Sequence, residues 1–430
     1  MRPLQINKKF IQFILCSYPL VIFYKFCYNF NMNNLIIKNI NTIDPKNEIN
    51  MQDIYVRNGF ITSSAPPDAL IIDGTGLYAA PGLVDIHVHL RDPGQTHKED
   101  IESGCSAAAA GGITSVIAMP NTKPAVDSVG TLEYIYKKAK NAKVHVYSAA
   151  AITKNLDGKI LTDMAALKHT GAAAFSDDGM PVADYNIMKK VLQTASDLGM
   201  PVLSHCEDMT ETDTRMAEYK AVQRDIEICR EIGVPLHICH VSTAESLEII
   251  RAAKAEGLKI TCETAPHYFS LTRDMVKGNA NYKMNPPLRE KADTKAVIRA
   301  IKDGTIDVIA TDHAPHAAHE KTDFDTAMNG ITGLETSFAL GITYLVKPGH
   351  ITINKLIELM SVSPAEIMNI NAGSLIIGSP ADIAIFDINK KWTVKKFKSK
   401  SANNPFLGME LTGKVLYTIV NGKVVYEWTN

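Results

Sequence analysis

The segment LVDIHVHLRDPG, residues 83–94, places His87 and His89 two positions apart in an otherwise apolar run. Alternate residues of a β-strand share a face, so both imidazoles project the same way and can share a metal ion. His-x-His alone is a weak signal, because isolated pairs more often make ordinary hydrogen bonds or meet solvent. The rest of the chain decides the matter. Further apolar runs end in Asp177 and Asp178 (GAAAFSDDG), His205 (PVLSHCED), His240 (PLHICHVST) and Asp312 (DVIATDHAPH). Four histidines with carboxylates exceed the needs of one tetrahedral ion and suit two divalent ions sharing a carboxylate. Nitrogen and oxygen ligands point first to zinc, with manganese, cobalt and iron also compatible. Such a centre is hydrolytic by default.

These groups lie far apart in the chain, so a fold must gather them. Eight apolar strand candidates (LVDIHVH, ITSVIAM, VHVYSAA, GAAAFS, PVLSHC, PLHICHV, KITCET and DVIATD) alternate with segments of helical period such as YNIMKKVLQTASDLG and AESLEIIRAAKAEG. Eight strands close a parallel barrel. The expected fold class is therefore α/β, with a (β/α)8 barrel of the TIM type over residues 81–365. A doubly wound sheet fits less well, since no glycine-rich phosphate fingerprint opens an early helix. Barrels of this kind carry their chemistry at the carboxyl ends of the strands, and five of the eight runs deliver a nitrogen or carboxylate there. The flanks have another texture. LIIKNI, DIYVRNGFI and ALIIDGTG before the barrel, and ADIAIFD, WTVKKF and GKVLYTIVNGKVVYEW after it, read as short strands, the last with an Asn-Gly hairpin signal. Residues 32–80 and 366–430 are expected to pair into one small β-rich domain.

At 430 residues and 46% hydrophobic, the chain can bury a large core. Its formal net charge of −1 and lack of any long single-sign run argue against a polyanion-binding surface, so nucleic acid is not an expected partner. Seven scattered cysteines without a CxxC pair fit free thiols in a reducing compartment, and a cytoplasmic location is expected. Residues 1–31 stand apart: basic positions precede an aromatic-rich apolar stretch broken by Pro19 and Lys25. The stretch lacks a good cleavage site and an unbroken membrane span. We read Met32 as the start of the working chain and expect no membrane association.

Taken together, HVHLRDPG, AMPNT, FSDDG, HCED, HVST, MNPPLR and ATDHAPH resemble the dihydroorotase family of the amidohydrolase superfamily, in its class without a metal-bridging carboxylated lysine. The resemblance runs from Leu35 to the C-terminus, and its motifs are specific in combination. It implies that His87 and His89 hold one zinc ion, that His205 and His240 hold the other, and that Asp178 rather than Asp177 bridges them. Asp312 is then both a ligand and the proton carrier. Hydantoinase-like relatives carry a lysine near this strand end, and AAAFSDDG has none.

The resemblance further implies that His89, Arg91, Asn121, Asn285 and His316 hold the substrate while Asn329 and Gly330 close over it through backbone groups. A guanidinium fork suits a carboxylate, and the asparagines suit amides. Singly, each of these residues is equally at home in a turn or on the surface; their joint match carries the reading. The implied activity is reversible hydrolysis of the cyclic amide of dihydroorotate, or cyclisation of N-carbamoyl-aspartate, in de novo pyrimidine biosynthesis, by hydroxide activated at two zinc ions per subunit. A homodimer and an aspartate carbamoyltransferase partner are further expectations. The alternatives are an allantoinase or hydantoinase-like enzyme, and a non-catalytic scaffold for the carbamoyltransferase, which the complete ligand set disfavours. His237 is read as packed and His145 as lying inside a strand; Cys206 and Cys262 as buried thiols; His267 and His313 as supporting groups; His97 and His319 as loop residues facing solvent.

Overall fold

A computed structural model describes residues 33–44 and 49–429, so the leader 1–31 and Met32 lie outside the described residues. The eight expected runs form the strands Leu83–Val88, Ile113–Ala118, His145–Ala151, Ala174–Ser176, Leu203–Ser204, Leu236–Ile238, Ile260–Thr264 and Val308–Ile309. They make two four-stranded parallel sheets in chain order. Parallel bridges Phe175–Val202 and Val88–His313 join the two sheets at both seams and close the ring. The fold is the (β/α)8 barrel anticipated from the repeating run-and-helix pattern.

Period-two patterning explains why the ring holds together. Ala149, Ala174, Leu203, Cys239 and Val308 pack in one cluster inside the barrel, while their neighbours Ala150, Phe175, Val202, Ile238 and Ile309 pack outward against the helices. Helices follow the same logic at their own period: in Tyr185–Asp197 the buried residues are Met188, Val191, Leu192 and Ala195, and the Asp184 carboxylate caps the amide of Ile187.

One strand departs from strict alternation, and it is the one carrying the histidine pair. Its ladder is interrupted between Asp85 and Val88. The Asp85 carboxylate there accepts the backbone N–H of His87 at 3.2 Å and of Thr311 at 3.1 Å. Ile86 consequently joins the interior cluster and Val88 the outer one, although strict alternation would put these two residues on one face. A buried carboxylate tucked into the ladder re-aims the side chains that follow it.

Strands from both flanks form a single mixed sheet of eight strands, with the C-terminal hairpin at one edge and Phe60–Thr62 at the other. The hairpin turns at Asn421 and Gly422, whose φ values of 48° and 74° are those an Asn-Gly type I′ turn requires. Along Ile383–Thr393, Ile383 and Ile385 face the flank's own core while Ala384 and Phe386 face the barrel's. The Phe386 ring packs on Phe338 with centroids 4.3 Å apart. Sheet and barrel therefore share one continuous core. Among the described residues no helix is long and apolar enough to cross a membrane.

Because Phe386 is fully buried at this junction, Phe386→Ala is expected to cost about 3–5 kcal/mol. A lowered unfolding midpoint checks this; an unchanged one means that the junction contributes nothing to stability.

Candidate active site

The strand ends bring the expected ligands to one mouth of the barrel. His87 Nε2, His205 Nδ1 and His240 Nε2 lie 3.3, 3.3 and 3.6 Å from Oδ1 of Asp178, and His89 Nε2 lies 3.5 Å from its Oδ2. Asp312 Oδ1 is 3.1 Å from His89 Nε2 and 3.7 Å from His87 Nε2. Two overlapping groups, His87–His89–Asp178 and Asp178–His205–His240, keep their ligand atoms within 4.8 Å of one another, so each has the compactness of a metal site. Asp178 belongs to both.

The donor set fits divalent ions. His87 Nε2 and Asp178 Oδ1 are buried without a hydrogen-bond partner, although each has oppositely charged neighbours. His205 Nδ1 and His240 Nε2 face each other at 2.8 Å. Buried nitrogens and carboxylate oxygens gathered this closely, two of them without a hydrogen-bond partner, are disposed as ligands are around a cation. Burial acts to raise the Asp178 carboxyl, but the His87 charge and the close His205 and His240 rings outweigh it and hold the group well below its ordinary range. Asp177 turns the other way. Its Oδ1 accepts the amides of Ile152 at 2.7 Å and Thr153 at 3.1 Å, and its other oxygen meets the Thr153 hydroxyl.

Three of the four rings are aimed from behind. The Nδ1 of His87 sits 2.5 Å from Glu263, that of His89 sits 2.8 Å from the amide oxygen of Asn121, and the Nε2 of His205 sits 3.0 Å from Glu207. Such partners fix the tautomer and leave the opposite nitrogen free to ligate. The backbone contributes as well: Arg91, His240 and Asp312 have φ of 58°, 36° and 47°, a left-handed region that non-glycine residues rarely adopt. The turn at His240 carries its ring into the site after the strand ends at Ile238.

Above the ligands opens a cavity of about 340 Å³ lined by His89, Arg91, Asn121, Asn285, His316, Asn329 and Gly330, all expected there, together with Asp178, His205, His240 and Asp312. His87 lies beneath it, fully buried. The two asparagines are already engaged: besides serving His89, Asn121 donates to the Asp178 backbone at 3.3 Å, and Asn285 donates to Glu207 at 2.9 Å. The His316 Nε2–H donates to the Asn329 carbonyl at 2.8 Å, and its Nδ1 accepts from Lys98 at 3.3 Å. Burial, then the charges of Arg91 and Lys98, push His316 down to about 3, so the ring is neutral. Arg91 is brought down by burial to about 10 and stays charged at neutral pH.

The loop beyond is tied down from two sides. Lys321 Nζ donates to the carbonyls of Lys283, Met328 and Gly330 at 3.0, 2.8 and 3.1 Å. Asn403, from the C-terminal flank, accepts the His316 amide at 3.0 Å and donates to the Gly330 carbonyl at 2.9 Å. Gly330 has φ 137°, and a Cβ there would lie 2.6 Å from Ala314, so only glycine fits.

Glu207, Glu263, Lys98, Lys321 and Asn403 escaped the sequence reading. Glu207, inside the HCED motif, carried the one available signal. His237, set aside as packed, is buried but bonded to Glu263 at 3.3 Å. His313 bonds Glu99 at 3.4 Å beside the site, whereas His97 and His319 stack on each other in exposed loops. Cys206 and Cys262 are buried thiols pushed upward by burial, which keeps them unreactive.

Fold and site together define a hydrolase barrel with a candidate two-ion centre. The profile of the Amidohydrolase family matches residues 78–425. The chain is 47% identical to the dihydroorotase of Acetivibrio thermocellus over 420 residues, covering 91% of this chain and 98% of that one. It is 48% identical to the dihydroorotase of Geobacter metallireducens, covering 92% and 100%. Among solved structures it resembles the L-hydantoinase of Arthrobacter aurescens at 28% identity and TM-score 0.83, covering 93% and 97%. The chain belongs to the amidohydrolase family and, within it, to the dihydroorotases.

The opposite orientations of the two adjacent acids make a direct comparison. Asp178→Asn is expected to strip the protein of stoichiometric bound metal, and Asp177→Asn to leave it in place, with metal content after dialysis as the readout.

Proposed function

We propose that the protein opens the ring of dihydroorotate to N-carbamoyl-aspartate and closes it in reverse, at a centre holding two divalent ions, zinc by ligand type. The observation that carries this reading is the convergence of four histidines and Asp312 around the buried Asp178, beneath a cavity whose wall includes Arg91. His87 and His89 would hold one ion, His205 and His240 the other, Asp178 both, and Asp312 would complete the first. When bound, divalent ions in such a site polarise a carbonyl and bring the pKa of water from about 15.7 toward about 7.

The chain's own groups do the rest. Arg91, whose Nε is anchored on the Pro315 carbonyl at 3.2 Å, offers its terminal nitrogens to the substrate carboxylate. Lys98, behind the neutral His316 ring, adds to the positive field of the Arg91 wall, and a small anionic diamide is matched to it. Asn121 and Asn285 supply the amide contacts for which each retains capacity. The backbone of Asn329 and Gly330 covers the ring. Asp312 takes the proton of the attacking water and returns it to the ring nitrogen as the amide C–N bond breaks; in cyclisation the proton runs the other way.

An allantoinase or hydantoinase activity is the competing assignment, and the absence of a lysine from AAAFSDDG, near the strand end where such relatives carry one, weighs against it. Five buried free cysteines among the described residues support a reducing compartment, the cytoplasm.

Turnover of dihydroorotate, allantoin, dihydrouracil and hydantoin, each with and without chelator, tests the assignment: chelator-sensitive activity on dihydroorotate is expected, and its absence refutes the reading. Asp312→Asn should lower kcat by about 10²–10⁴-fold with the fold retained; a near wild-type rate excludes its proton-carrying role. Arg91→Lys keeps the charge but loses the fork, so KM for dihydroorotate should rise. An unchanged KM removes Arg91 from carboxylate binding.

A further inference from the structure

Resting on the metal-centre reading above, we infer that Glu263 and His237 are positioning residues that lock His87 in the one tautomer able to offer a lone pair to an ion. Glu263 lies on the seventh barrel strand, 1% exposed, with its carboxylate inside the barrel below the site. Its Oε1 is 2.5 Å from His87 Nδ1 and its Oε2 is 3.3 Å from His237 Nε2. His237 Nδ1 in turn lies 2.8 Å from the Thr261 hydroxyl.

An ionised carboxylate only accepts hydrogen bonds, so both ring nitrogens facing Glu263 must carry protons. That leaves His237 Nδ1 to accept from Thr261. In the neutral ring that a metal ligand must be, it also leaves His87 Nε2 bare, and this is the atom that is buried without a hydrogen-bond partner 3.3 Å from Asp178. Every proton in the chain Thr261–His237–Glu263–His87 is thereby assigned in one consistent direction. The chain has a second end: His237 and Thr261 line a separate cavity of about 460 Å³ where the strands begin, together with Val202, Leu236 and Ile260. One line of hydrogen bonds crosses the barrel interior from the mouth opposite the site to the ligand itself. The negative charge on Glu263 also strengthens His87 as a donor, and charge-assisted bonds are the strong ones in a dry interior.

The test is metal affinity rather than turnover. Zn²⁺ and Co²⁺ are titrated into metal-free protein against a chromophoric chelator, and the His87 ring nitrogens are followed by ¹⁵N NMR of histidine-labelled protein. Glu263→Gln should weaken binding by about 10–100-fold and shift the His87 signals away from the pure Nδ1–H form, because a carboxamide is neutral and donates from one end. A purely structural role for Glu263 would leave that tautomer signature unmoved. If Glu263→Gln does not fold, Glu263→Asp, which draws the carboxylate back from His87 by one methylene, is read in the same way. Wild-type affinity with an unchanged His87 tautomer in the variant overturns the positioning role and leaves the metal centre standing. Wild-type protein that binds neither ion overturns the metal centre itself.

Discussion

A single buried carboxylate with four imidazoles around it is the constraint on which the rest of this molecule turns. Asp178 is 4% exposed, and removing a charge that far from water costs several kcal/mol unless something compensates it. Here the compensation comes from four rings supplied by three strand ends, each arriving with a nitrogen 3.3 to 3.6 Å away. Packing alone would not hold rings in that attitude. Three of the four are gripped on their far nitrogen, by Glu263, Asn121 and Glu207, so the precision of the centre comes from a second layer of polar groups behind the first.

Backbone strain is part of the same arrangement. Left-handed φ values at Arg91, His240 and Asp312 cost of order 1–3 kcal/mol each, and they persist only where surrounding structure over-determines them. The barrel supplies that surplus through a continuous apolar core, to which the flank sheet adds Phe386, Val415 and Val420. The flank does more than pack. Asn403 reaches the loop that carries Gly330, the backbone of Lys398 and Ser399 donates to Glu335, and the Ser399 side chain meets Glu99 beside His313. A segment that reads in sequence as the connection between two strands thus holds one wall of the cavity.

That wall is polarised. Arg91 stands on one side of the cavity and Lys98 behind that wall, with His316 kept neutral between them by its burial and by their charges, while Asp178 and Asp312 stand among the ligands. A small substrate bearing a carboxylate at one end and an amide at the other meets opposite fields at its two ends, which orients it before any bond changes. Lys98 is itself balanced by Glu320 at 2.9 Å, so the positive wall does not repel itself apart.

Periodicity made the architecture legible. Runs alternating with a period of two and helices with a period near 3.6 report burial directly, and counting eight runs sufficed to expect a closed barrel. The ligand types were legible for a related reason, since each stood at the end of such a run. The interrupted ladder at Asp85 and the left-handed turn at His240 were not, because strand parity presumes a strand that continues undistorted; the role of His237, inside a regular strand, was not legible because it depends on Glu263. Glu263 is a lone acid in a strand pattern, and nothing local marks it. Its meaning depends on His87, 176 residues away along the chain. The amino-acid sequence by itself determined the elements, their order and the chemical kinds of group at the barrel's mouth, because burial and hydrogen-bonding capacity are properties of residues and their near neighbours. Only the tertiary structure decided which nitrogen each ring presents, which of two adjacent aspartates faces inward and what covers the cavity, because those follow from contacts between groups that only the closed barrel brings together.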